Sequence, residues 1–124
     1  MPGNMTRTVI AVVDDLFFAS KIRGTAEQLG VSVNFPRSKD AVVEAARGGQ
    51  ASLIIVDLHS QKIDAIQLAR QLKASAELSS IPLVGFFSHV QTELQAEAES
   101  AGFDRVLPRS AFARNLSEIL TGPG

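Results

Sequence analysis

The chain contains no cysteine, no tryptophan and no tyrosine. Without cysteine there is no disulfide framework, no thiolate metal site and no Cys nucleophile. Charge of one sign is also missing: 12 basic side chains stand against 13 acidic ones, a formal charge of -1. No basic run or patch stands out, which removes the electrostatic footprint of a nucleic-acid binder. Long apolar runs are absent too. The longest, Val9 to Val13 and Leu83 to Phe87, are five residues each, too short for a bilayer span or a signal-peptide core. What remains is a composition close to the globular average, 45% apolar and 20% charged over 124 residues. That length suits one domain, 1–124, with an ordered core of about 6–121, and a cytoplasmic location is expected.

Two kinds of segment alternate along the chain. Short β-branched or aromatic runs occur at Thr8–Val13, Val31–Phe35, Leu53–Val56, Leu83–Phe87 and, weakly, Arg105–Leu107. Three of the five are apolar nearly throughout, as strands buried on both faces require. Between them runs helical spacing: Phe18, Ile22, Ala26 and Leu29; Ala65, Leu68, Ala69 and Leu72; Phe112, Leu116, Ile119 and Leu120. Gly30, Gly48-Gly49 and Gly102 sit where left-handed helix ends are wanted. Ser38, Thr92 and Ser110 stand at N-cap positions, with Thr92-Glu93-Leu94-Gln95 fitting a capping box. Pro82 opens its strand, where a missing N–H is harmless. Five strands alternating with five helices imply parallel pairing, right-handed crossovers and helices on both faces: a doubly wound α/β fold.

In such a sheet the site lies beyond the carboxyl ends of the strands. Asp14 and Asp15 follow the first strand, Asp57 the third, Ser88 and His89 the fourth, and Pro108-Arg109-Ser110 the fifth. Three converging carboxylates repel one another, so a proton or a divalent cation is wanted there, and oxygen ligands suit Mg²⁺. A structural role is the alternative, since Asp14 or Asp15 could cap the first helix and Asp57 a loop. The first strand–helix turn lacks glycine, so it forms no dinucleotide or P-loop phosphate cradle. Nor does any Gly-x-Ser-x-Gly elbow occur. A histidine-assisted metal site at His59 and His89, or a small enzyme built on them, ranks last. Phe18 continues the buried stripe of the first helix, whereas Phe17 is a candidate exposed side chain beside the site.

Val12-Val13-Asp14-Asp15, Ile54-Ile55-Val56-Asp57-Leu58 and the alternating pattern resemble the receiver domain of bacterial two-component response regulators. The likeness runs from about Thr6 to Leu120. It implies a flavodoxin-like sheet in the order 2-1-3-4-5. It further implies Asp57 as phosphoacceptor, with Mg²⁺ held by Asp14, Asp15, Asp57 and the backbone carbonyl of His59. Asp57 to Arg109 is 52 residues and Asp57 to Phe87 is 30, the family's spacing without gaps. In that register Arg109 replaces the lysine that grips phosphoryl oxygens, and it is expected to pair with Asp57 or a bound anion. Phe87 replaces the hydroxyl that senses the phosphoryl group, leaving Ser88, one residue late, as the available hydroxyl. Val106 replaces the switching aromatic. After Asp57 the loop Ser60-Gln61-Lys62-Ile63-Asp64-Ala65 lacks the family's proline and glycines.

The sequence therefore reads as a stand-alone, atypical phosphoacceptor receiver. Its expected partners are a histidine kinase or phosphotransfer protein upstream and a downstream protein on the face of the fourth helix, fifth strand and fifth helix. The runner-up is a phosphorylation-independent pseudo-receiver acting as an interaction module.

Overall fold

The structure, a computed structural model, describes residues 7–48, 51–88 and 91–122. Five parallel strands form one sheet: β1 (Thr8–Val12), β2 (Ser32–Asn34), β3 (Ala51–Asp57), β4 (Leu83–Phe87) and β5 (Arg105–Pro108). Their order is β2-β1-β3-β4-β5, as the resemblance implies. The helices are α1 (Leu16–Leu29), α2 (Lys39–Arg47), α3 (Ala65–Ala74), α4 (Thr92–Ala101), α5 (Arg109–Arg114) and α6 (Leu116–Thr121).

Successive side chains of a strand point to opposite faces of its sheet. In β1 this sends Ile10 and Val12 into one core and Val9 and Ala11 into the other. The first core gathers Ile54 and Val56 with α2, α3 and α4. The second gathers Ile55, Phe86 and Phe112 with α1, α5 and α6. A strand covered on both sides has no polar face to show, which is why residues 9–12 of β1, residues 53–56 of β3 and the whole of β4 carry no polar side chain. Phe18, Phe86 and Phe112 form an aromatic cluster in the second core, with Phe86 and Phe112 stacked at 4.8 Å between ring centroids.

Several local expectations are corrected. The capping box at Thr92 does not form: Gln91 is the N-cap, extended at φ −140, and it makes no side-chain cap bond. Ser110 lies inside α5, because Pro108 stands at the cap position with φ −62 and ψ 148 and the chain turns directly into the helix at Arg109. Gly48 closes α2 in right-handed conformation (φ −63, ψ −8), its N–H donating to the Ala46 carbonyl; Gly49 lies outside the described residues. The last helix is two. Asn115, at φ −105 and ψ 17, breaks it while its side-chain amide donates to the Ala111 carbonyl at 2.9 Å. Leu29, placed on the buried stripe by its spacing, is 39% exposed at the end of α1.

The expectations for Gly30 and Ser38 hold. Gly30 is left-handed at φ 72, and the Ser38 hydroxyl accepts the N–H of Ala41 at 3.1 Å. Gly102 is at φ 122, and a Cβ there would run into the stem of Lys73. Among the described residues no helix is long and apolar enough to cross a membrane.

Candidate functional site

β1 and β3 are neighbours, with Val12 beside Val56, so Asp14 and Asp57 leave the sheet at the same edge. β3 pairs in turn with β4, and β4 with β5 in a register that sets Phe87 beside Pro108. Asp14, Asp15, Asp57, Ser88 and Arg109 thus all stand at the carboxyl edge of the sheet, where the sequence puts them. Asp14, Asp15 and Arg109 are paired there within the chain.

Asp15 is the N-cap of α1, the structural role weighed against a functional one. Its Oδ1 accepts the N–H groups of Phe17 at 2.9 Å and Phe18 at 3.2 Å. Its Oδ2 accepts from Arg109 Nη2 at 2.8 Å. The hydrogen bond from Arg109, then the bond from Phe18, hold its carboxyl below the ordinary carboxylate value. The expected Arg109–Asp57 pairing is therefore replaced by an Arg109–Asp15 pair. The guanidinium also lies 4.4 Å from the centroid of the Phe18 ring, so a planar cation is held on one side by an aromatic face and at its edge by a carboxylate.

Asp14 reaches across to the loop after β3. It accepts the Ser60 hydroxyl, shared between its oxygens at 3.0 and 3.2 Å, and the Gln61 N–H at 2.7 Å. Ser60 in turn accepts the Ile63 N–H at 3.3 Å and donates its own N–H to the Asp57 carbonyl. Sequence reading missed Ser60 and Gln61 as partners; the available signal was a loop hydroxyl able to close a local turn.

Asp57 is half-buried. Its Oδ1 accepts the His59 N–H at 2.8 Å, and Oδ2 meets no protein donor among the described residues. Burial pushes its carboxyl above the ordinary value, against the opposing pull of the His59 N–H. Phe87 is 6% exposed and packs into the first core, beside which Val106 also lies, so no hydroxyl occupies the register position where one is usual. Ser88 is exposed and shares a groove with Lys21, Arg109 and Ser110. β4 pairs with β5 without a bulge at this end. His89 lies outside the described residues.

The donor set decides whether Mg²⁺ fits. The oxygens of Asp14 and Asp15 already accept protein donors, one of them a guanidinium. Among the described residues, no group of three or more His, Asp or Glu side chains could hold a metal ion. The site as arranged does not fit Mg²⁺: repulsion among the carboxylates is relieved by Arg109, Ser60 and four backbone N–H groups instead.

The large apolar side chains exposed among the described residues are all on α1: Leu16 at 80%, Phe17 at 90% and Leu29. Leu16 and Phe17 directly follow Asp15, on the rim of the cleft. On the face expected for output, most described exposed positions of α4 and β5 are polar, Glu93, Glu97 and Arg105 among them, and the exposed apolar ones, Ala96 and Pro108, are small.

Residues 5–120 match the family model described as the PDE8A-like, N-terminal domain. No curated protein matches the sequence. Among solved structures, the chain is similar to the chemotaxis response regulator CheY4 of Vibrio cholerae (15% identity, TM-score 0.81), covering 97% of this chain and 100% of that one. A putative response regulator from Chloroflexus aurantiacus gives 15% identity and a TM-score of 0.82, over 95% and 97% of the two chains. The receiver domain of the sensor histidine kinase PA1611 from Pseudomonas aeruginosa gives 17% and 0.79, over 93% and 94%. That structure has a magnesium ion coordinated in its active-site cleft. At these identities the likeness is one of fold.

Proposed function

The chain belongs to the PDE8A-like N-terminal domain family, and from that premise we propose that it is a receiver-fold interaction module that acts through protein contact without accepting a phosphoryl group. The observation that carries this reading is the Arg109–Asp15 pair. A phosphoacceptor cleft needs a cation for the incoming oxygens and carboxylates placed to share a metal ion. Here the cation braces a helix cap at 2.8 Å, and the carboxylates are bonded to donors of their own chain. Leu16 and Phe17 supply the contact chemistry: adjacent large apolar side chains held out in water beside the cleft are a feature of surfaces that meet a partner. This points to α1 in preference to the α4–β5–α5 face.

The test is exposure of the protein to acetyl phosphate and Mg²⁺ with intact-mass spectrometry, alongside Mg²⁺ titration by calorimetry. No phosphoryl adduct and no saturable Mg²⁺ binding are expected. An adduct on Asp57, lost in Asp57→Asn, overturns the reading.

Phosphoryl acceptance on Asp57 from a histidine kinase or phosphotransfer protein keeps one specific support. The Asp57 carboxylate is half-buried at the end of β3, and one of its oxygens meets no protein donor among the described residues. Under that reading Arg109 must leave Asp15 to reach the phosphoryl oxygens.

A further inference from the structure

Asp14 also lines a cavity of about 110 Å³ that Arg109 does not line. Three cations line it: Arg23 from α1, Arg37 from the segment between β2 and α2, and Lys62 from the segment between β3 and α3. None of the three forms an ion pair among the described residues; the pairs there are Lys73–Asp104 and Arg109–Asp15. All three side chains are exposed, and like charges lining one cavity favour an anion between them. The single carboxylate in the wall, Asp14, is already shared with Ser60 and Gln61. Arg23 is held in place, its guanidinium 4.8 Å from the centroid of the Phe35 ring, which leaves its N–H edge for an acceptor. Phe35 and Pro36 give the cavity an apolar side.

We propose that this cavity binds a small tetrahedral oxyanion of the phosphate or phosphomonoester class. Its size sets the ligand. Sites for drug-sized molecules run to about 300–1,000 Å³, so this one admits an oxyanion with a few carbon atoms and excludes a whole nucleotide. Asp14 adds a requirement of its own, since a ligand group facing its carboxylate must donate a hydrogen bond. Hydrogen phosphate, or the hydroxyl of a small phosphomonoester, meets that need while its other oxygens face the cations. The site is separate from phosphoryl acceptance on Asp57, because bound phosphate forms no covalent bond.

The test is an amide NMR titration of the full chain with inorganic phosphate, repeated with glycerol 3-phosphate, at constant ionic strength. Saturable shifts at residues 13–16, at Phe35 and Arg37, and at residues 62–63 are expected, with a dissociation constant in the millimolar range or tighter. Tighter binding of glycerol 3-phosphate assigns the ligand to the phosphomonoesters; equal binding assigns it to phosphate. Arg37→Glu, at an exposed position, should weaken binding at least tenfold with far-UV circular dichroism unchanged. Lys21→Glu, an exposed charge outside this cavity, should weaken it less than twofold. Shifts that never saturate, or equal losses in the two variants, would show general surface attraction and overturn the site.

Discussion

Removing the Asp14 side chain distinguishes an internally paired cleft from a crowded acidic one by the sign of the stability change. In a cluster of unrelieved carboxylates, Asp14→Ala takes away a repulsive charge and stabilises the protein without metal. In the arrangement described here it takes away an acceptor. The Gln61 N–H, 2.7 Å from Oδ2, and the Ser60 hydroxyl, 3.0 Å from Oδ1, lose their partner. Hydrogen bonds to a charged acceptor contribute about 1.5–3 kcal/mol each when shielded and about 1 kcal/mol when water can replace them. Gln61 is exposed and Ser60 half-buried, so the loss should total about 2 kcal/mol. For a chain of this size that lowers Tm by roughly 6–10 °C. With no Trp or Tyr to report by fluorescence, urea unfolding followed by far-UV circular dichroism is the assay, with hydrogen exchange at the Gln61 amide as the local readout. Asp14→Asn, which keeps one carbonyl oxygen, should lose about half as much. A stability change within about 0.5 kcal/mol, or a gain, would refute the pairing argument.

Asp57 gives a pH signature. Burial raises its folded pKa above the unfolded 3.8, so the folded state holds the proton more tightly, and a destabilising contribution develops as pH rises from 3.8 through the raised value. Asp57→Asn should therefore be more stable than the parent at pH 7 and equal to it below pH 3.8, as read by thermal melts across pH. Asp15 has the opposite sign: its folded pKa is lowered, so its contribution is present above 3.8 and lost as pH falls through the lowered value. Arg109→Ala should move the Asp15 titration, followed by carboxyl ¹³C NMR, back toward its ordinary value, because the Arg109 hydrogen bond is the largest cause of the shift. Arg109→Lys should restore only part of the shift. Leu16→Ser with Phe17→Ser should change stability by under about 0.5 kcal/mol per site in urea unfolding, since both side chains are already in water.

The sheet was legible because its physics is local and periodic. Val9, Ile10, Ala11 and Val12 must all be apolar when alternate side chains enter two different cores. The positions of Asp14, Asp57 and Arg109 at strand ends followed from topology alone. Their partners did not. Ser60 and Gln61 lie 46 and 47 residues from Asp14, and Arg109 lies 94 from Asp15; no spacing rule encodes which donor wins at such separations. Local signals failed where two of them competed. The stripe Phe112, Leu116, Ile119 and Leu120 is continuous on one face and hides the break at Asn115, whose side chain bonds the backbone itself. Thr92 and Gln95 carry the capping-box residues, but the chain enters the helix one residue earlier than that motif needs.

Arginine at position 109 has a physical logic that lysine would lack. Its guanidinium meets two demands at once: a flat face 4.4 Å from the Phe18 ring centroid and an edge N–H 2.8 Å from Asp15. A compact ammonium can sit at one of these places but cannot lie flat on a ring while reaching a carboxylate sideways. The consequences spread through both partners. Asp15 caps α1, and Phe18 packs against Phe86 and Phe112 with centroids 5.1 and 5.7 Å away. Arg109 is also the first residue of α5, so one side chain ties the start of α5 to the cap of α1 and to the second core. Moving it onto a group at Asp57 would uncover the Phe18 ring and return the Asp15 carboxyl toward its ordinary pKa. Any anion arriving at Asp57 must therefore draw Arg109 away from an ion pair and an aromatic contact together, and the cleft is biased toward remaining as it stands.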